Sequence, residues 1–168
     1  YGGTVNLFNV HLKNLGIEVS FVEPDASEEE ILSKVRPNTK AIYGETIGNP
    51  GLNVLDFNKF SSVAKKIKVP FIVDNTVATP YLCNPFEHGA NIVEIQQQRA
   101  EGHAQTIGGI VVDGGNFDWT NGKFNDFTTP DPSYHGLKYV ESFGQAAYIV
   151  KLRVTLLRDL GACMSPCK

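Results

Sequence analysis

Apolar positions along the chain switch repeatedly between two spacings. Val5, Leu7, Phe8, Val10, Leu12 and Leu15 recur at helical intervals, Gly16 follows as a C-cap, and residues 17–22 run extended, so the opening reads helix and then strand. Ser27 ahead of three glutamates predicts a helix over residues 27–35 that ends before Pro37. A short buried strand at residues 40–45 leads into turn chemistry at Gly48-Asn49-Pro50-Gly51, and residues 55–67 return to helical spacing. Residues 70–73 are apolar at consecutive positions, as suits a parallel strand covered on both faces. Residues 91–93 and 107–112 add further strands. Residues 115–132, rich in Gly, Asn, Asp and Pro, predict a long surface loop, and residues 140–160 a long amphipathic helix ending at Gly161. Alternation of this kind predicts an α/β fold, a mostly parallel sheet flanked by helices.

Charge narrows the partners. Fifteen Lys+Arg against 18 Asp+Glu give a net charge of -3 with the signs interspersed, which speaks against nucleic acid and anionic membrane. No apolar run approaches the roughly 20 residues of a spanning helix, and no leader pattern opens the chain, so a cytoplasmic protein is expected. The three cysteines, Cys83, Cys163 and Cys167, are an odd number and read as reduced thiols. The spacing of Cys163 and Cys167 does not suit paired zinc thiolates, and no metal is expected. The chain opens on Tyr1 rather than Met and stops just after a strong helical pattern, so both ends read as cut.

In open α/β sheets, ligands bind at the carboxyl ends of the strands, which singles out Asp74, residues 45–49 and residues 96–103. Asp74 is either a turn acceptor for the backbone of Asn75 or Thr76, or a carboxylate holding a proton on a cofactor ring nitrogen. Asn49 on its own reads as turn chemistry before Pro50, and His103 as a polar loop residue.

Four motifs decide among these readings. Tyr1-Gly2-Gly3-Thr4, Glu45-Thr46-Ile47-Gly48-Asn49-Pro50, Val73-Asp74-Asn75-Thr76-Val77-Ala78-Thr79-Pro80, and Gly102-His103 with Ile107-Gly108-Gly109 resemble, in order and spacing, the large-domain core of the pyridoxal-phosphate (PLP) enzymes of Cys/Met metabolism. Asp131-Pro132-Ser133-Tyr134-His135-Gly136 and Arg158-Asp159-Leu160-Gly161-Ala162-Cys163 resemble the O-acetylhomoserine sulfhydrylase branch. The resemblance implies that residues 1–168 are a partial PLP-binding large domain, without the N-terminal segment and the C-terminal small domain. It implies a cofactor site of Tyr1 stacked on the pyridine ring, Asp74 on the pyridinium nitrogen and Asn49 near the phenolic oxygen, with Thr76 beside them. It further implies an amino-acid substrate, sulfide, acetate as leaving group, and a homo-oligomer whose neighbouring subunit completes each site.

One stretch departs from the pattern. The family carries Ser-x-Thr-Lys after the strand at Val93, the lysine holding PLP as a Schiff base. Here Gln96-Gln97-Gln98-Arg99 stands there, and Arg99, always protonated, cannot form the imine. The chain as written is therefore expected to be catalytically inactive. Ile95 to Arg99 can be encoded ATT CAG CAA CAA AGG, which read from its third nucleotide gives Ser-Ala-Thr-Lys, so a shifted reading frame is the expected origin. The alternative is a non-catalytic homologue serving as scaffold or regulatory subunit. A dinucleotide-binding domain is disfavoured by the lack of Gly-x-Gly-x-x-Gly between the first strand and helix.

Overall fold

Why the sheet forms in the middle of the chain follows from its apolar runs, which must be covered on both sides. In the computed structural model, which describes residues 1–96 and 108–161, strands β1 (Ile42–Glu45), β2 (Phe71–Asp74), β3 (Ile92–Gln96) and β4 (Gly109–Asp113) lie in the order β1-β2-β3-β4. The first three are parallel and β4 runs antiparallel to β3. Successive side chains go to opposite faces. Phe71, Val73 and Val93 meet Ile31, Phe60, Val63 and Ala64 on one face. Ile72 and Ile92 meet Trp119, Phe127, Tyr139 and Ala147 on the other. Each fully buried side chain of this size contributes about 1.5–3 kcal/mol, which sets the register of the strands.

The first face is covered by two helices whose starts are encoded locally. Helix α2 (Glu28–Ser33) begins where Ser27 Oγ accepts the Glu30 N–H at 3.2 Å, with three glutamates in the first turn. Helix α3 (Phe57–Ile67) begins where Asp56 Oδ1 accepts the Lys59 N–H at 3.1 Å. Helix α1 (Gly2–Asn6) widens into π-type turns over Leu7–Leu12 and rests Phe8 edge-on against Tyr43, ring centroids 5.0 Å apart.

Three expectations need correction. Residues 17–22 form no strand: extended patterning becomes a strand only where a neighbour completes the hydrogen bonds, and among the described residues none does. Phe21 packs instead near Phe8. Residues 115–132 are not simply a surface loop. They contain helix α4 (Asn125–Thr128) and carry Trp119 and Phe127, 5% and 8% exposed, into the second core, where Trp119 stacks on Tyr148 with centroids 5.2 Å apart. The long C-terminal helix starts at Tyr139 and breaks into α5 (Tyr139–Phe143) and α6 (Ala147–Leu152). Gly144 causes the break, with φ 53 and ψ -123, a conformation side-chain-bearing residues avoid. From α6 the helix continues through π-type turns over Arg153–Leu157 to Leu160. A short helix, Thr79–Leu82, between β2 and β3 was also not expected.

Gln97, Gln98, Arg99, Gly102, His103, Ile107, Cys163 and Cys167 lie outside the described residues. No helix among the described residues is long and apolar enough to cross a membrane. No group of three or more His, Cys, Asp and Glu among them is arranged to hold a metal ion.

Candidate active site

The parallel strands β1, β2 and β3 end in the polar residues Glu45, Asp74 and Gln96. Glu45, Asp74 and Glu94 are successive register partners on β1, β2 and β3, so three carboxylates share one face of the sheet. Beyond them the chain turns, and the turns build a cleft. Tyr1, Asn49, Asp74 and Thr76, the four residues expected to bind cofactor, all line it, together with Glu45 and Gln96. The cleft encloses about 170 Å³, less than the roughly 300–1,000 Å³ of complete small-molecule sites.

Each member is positioned by local bonds. Asp74 is 7% exposed. Its Oδ1 accepts the Thr76 N–H at 2.8 Å, which is the turn role weighed above, while its Oδ2 accepts from no described residue. The structure thus shows the turn role, made by one of the two carboxylate oxygens. Thr76 Oγ1 accepts the Gln96 N–H at 2.8 Å, tying the β2 turn to the end of β3. Beneath them Thr46 donates its hydroxyl to Asn75 Oδ1 at 2.8 Å, and Asn75 Nδ2 donates to the Cys83 carbonyl at 2.9 Å. Both are buried, so the floor of the site is rigid. Asn49 sits at the tip of a hairpin closed by the Ile47–Val54 bridge and the Gly48 N–H to Asn53 carbonyl bond of 2.9 Å.

Two residues with no role in the expected site stand out. Glu45 Oε1 accepts from the terminal ammonium of Tyr1, the first residue of the sequence, at 2.7 Å. Glu94 accepts the Tyr43 hydroxyl. Burial pushes the Glu94 carboxyl up, against the Tyr43 hydrogen bond, and the Asp74 and Glu45 charges push it further. Burial and then Glu94 raise the Tyr43 phenol. A charged residue within an apolar strand was the available signal for Glu94; for Glu45 it was its place at the carboxyl end of β1.

The residues fit PLP. A nearly buried carboxylate with an open oxygen calls for a positively charged N–H partner, and a pyridinium nitrogen is one. Tyr1, 51% exposed as a residue, lines the same cleft and carries an aromatic ring.

The family described as Cys/Met metabolism PLP-dependent enzyme matches residues 1–168. The chain is 49% identical over 176 residues to an O-acetyl-L-homoserine sulfhydrylase of Leptospira meyeri, covering 99% of this chain and 39% of that one. It is 48% identical over 170 residues to a homocysteine/cysteine synthase of Saccharomyces cerevisiae, covering 99% and 38%. A solved structure described as an O-acetylhomoserine (thiol)-lyase of Campylobacter jejuni, carrying N'-pyridoxyl-lysine-5'-monophosphate, superposes with a TM-score of 0.93 at 36% identity, over 99% of this chain and 41% of that chain. The chain thus spans about two fifths of the length of the curated relatives it matches. The family model and these relatives together establish that the chain belongs to the Cys/Met metabolism PLP-dependent enzymes.

Proposed function

We propose that this chain is the cofactor-binding part of an O-acetylhomoserine sulfhydrylase-type enzyme, which replaces the acetate of O-acetylhomoserine with sulfide to give homocysteine. The observation that carries the cofactor reading is the convergence of Tyr1, Asn49, Asp74 and Thr76 on one cleft at the strand ends. When bound, PLP supplies an electron-poor ring that draws charge from the substrate carbon next to the amino group. Asp74 would hold the proton on the ring nitrogen, Tyr1 would cover one ring face and Asn49 would lie near the phenolic oxygen, while Thr76 keeps the Asp74 turn closed. The lysine that such chemistry needs is replaced by Arg99, so the chain as given binds PLP without turning over substrate. The same replacement is what favours the second reading, a non-catalytic scaffold or regulatory homologue. A homo-oligomer in the cytoplasm is part of the proposal.

The test is PLP titration of the purified chain, followed by circular dichroism induced in the bound cofactor. Asp74→Asn preserves the Oδ1 acceptor for Thr76 but removes the charge. It should keep the unfolding midpoint and weaken PLP at least about tenfold, as expected for a lost charge-assisted bond. Equal affinity in both chains would sink the assignment.

A further inference from the structure

Asp74 and Glu94 are register partners on β2 and β3, so their carboxyl groups leave the same face of the sheet, from strands about 4.8 Å apart. The Asn75 N–H donates to the Glu94 carbonyl at 2.9 Å and ties the two strands together at this point. Two carboxylates so close repel, and such a pair keeps a proton on one member. Asp74 accepts the Thr76 N–H at 2.8 Å, a bond that a carboxylate makes more strongly than a carboxylic acid. The Glu94 side chain accepts from the Tyr43 hydroxyl and does not itself line the cleft. Of the two, Asp74 carries the charge and Glu94 the proton.

No cation among the described residues stands ready to replace that proton. β1 brings Tyr43 and Glu45 toward Glu94, β2 brings Asp74, β4 sets Val111 opposite, and α6 brings Tyr148. Burial pushes the Glu94 carboxyl up, the Tyr43 hydrogen bond pulls it back, and the Asp74 and Glu45 charges push it up again.

We infer that Glu94 is a positioning residue acting through Asp74: it keeps a proton while Asp74 stands alone, and releases it to water when the positively charged N–H of a ring ligand meets Asp74. The inference rests on the PLP reading and deepens it, because it couples cofactor binding to proton release. The ring N–H offsets the charge that held the proton on Glu94, so Glu94 is more acidic in the occupied site than in the empty one. Affinity therefore rises with pH between those two Glu94 values, by about tenfold for each unit that separates them.

The test is PLP affinity across about pH 5 to 9 in wild type and in Glu94→Gln, whose ratio cancels the titrations of PLP itself. Gln has no proton to release. The ratio should be near unity at low pH and climb about tenfold in favour of wild type as pH rises. Tyr43→Phe removes the bond that makes Glu94 more acidic, so it should move the climb to higher pH. A merely structural role for Glu94 would weaken binding by the same factor at every pH, and a ratio that stays flat or falls with pH overturns the inference. In the PLP-free chain, the Glu94 carboxyl carbon followed by carbon-13 NMR should titrate about one pH unit lower in Asp74→Asn than in wild type. An unchanged midpoint there overturns the inference as well. If the unmodified chain binds no PLP, the cofactor reading fails, and the Asp74→Asn titration still decides whether the two carboxyl groups share a proton.

Discussion

Tyr139 donates its hydroxyl to Asp131 Oδ2 at 2.7 Å, joining the turn at Asp131-Pro132-Ser133 to the first residue of α5. The other oxygen, Oδ1, accepts the Ser133 N–H at 2.8 Å and the Ser133 hydroxyl at 2.6 Å. The Ser133 hydroxyl first, and Tyr139 next, hold the Asp131 carboxyl down at about 2; burial opposes them, and the charge of Lys151 adds to them. Burial and the same bond push the Tyr139 phenol up to about 12. A motif that marked the sulfhydrylase branch in the sequence is, in the structure, a buttress under the second core.

Acid should weaken that buttress within a defined window. A carboxylate depressed in the folded state contributes stability above its unfolded value of 3.8, and loses it as pH falls through about 2. Asp131→Asn removes the titration. The difference in urea midpoint between wild type and Asp131→Asn should therefore be flat above pH 3.8 and shrink below it. A gap that stays constant down to pH 2 would show that Asp131 makes no ionised contact.

The opposite sign is expected at Glu94. Its folded value is raised, by burial and by the Asp74 and Glu45 charges against the Tyr43 hydrogen bond. A raised group gives its full stability below the unfolded value and loses it as pH rises through the folded one. Glu94→Gln keeps an acceptor for Tyr43 without the charge. At neutral pH the variant should unfold at higher urea than wild type, and the advantage should vanish as pH falls below the Glu94 value. Lower stability at neutral pH would contradict this.

These relationships mark the limit of what the sequence discloses. Helix α2 was legible because Ser27 caps it within three residues of the bond it makes, and α3 because residues 55–67 return to helical spacing. Strands β1 to β3 were legible because consecutive apolar positions demand cover on both faces. The order of strand and turn likewise placed Asp74 and Asn49 at the carboxyl ends. What stayed hidden depends on partners far along the chain. Trp119 is buried because Tyr148 lies under it, and Glu45 meets Tyr1 across 44 residues. Gly144 breaks a helix whose apolar period runs on without interruption, so periodicity passed over it.

Trp119 therefore carries a stability prediction. It stacks on Tyr148 and on Phe127, with centroids 5.2 and 4.4 Å away, in the cluster that covers Ile92. Trp119→Ala should cost about 3–5 kcal/mol, as large aromatic truncations in cores do. Trp119→Phe keeps a ring in the stack and should lose less. Thermal unfolding followed by far-ultraviolet circular dichroism measures both, and an unchanged midpoint in Trp119→Ala would mean that the loop does not hold the second core together.

The last prediction concerns the genetic origin of residues 95–99. A shifted reading of this stretch yields Ser-Ala-Thr-Lys only under strict codon choice: Ile95 as ATT, Gln96 as CAG, Gln97 and Gln98 as CAA, and Arg99 as AGA or AGG. Any CGN codon at Arg99 turns the shifted lysine into threonine or alanine, and CAA at Gln96 turns the shifted alanine into threonine. Sequencing the source DNA from the codon of Val93 to that of Gly109 should find the permitted set and a compensating slip before Gly102. At the protein level, the chain carrying Ser-Ala-Thr-Lys in the restored frame should retain PLP covalently after borohydride reduction, read as a mass increase on one peptide. The chain with Arg99 should release it, because a guanidinium has no free amine to join the aldehyde. Forbidden codons would remove the frame explanation. Arg99 would then belong to a homologue whose cleft binds cofactor, substrate or a partner subunit without reacting.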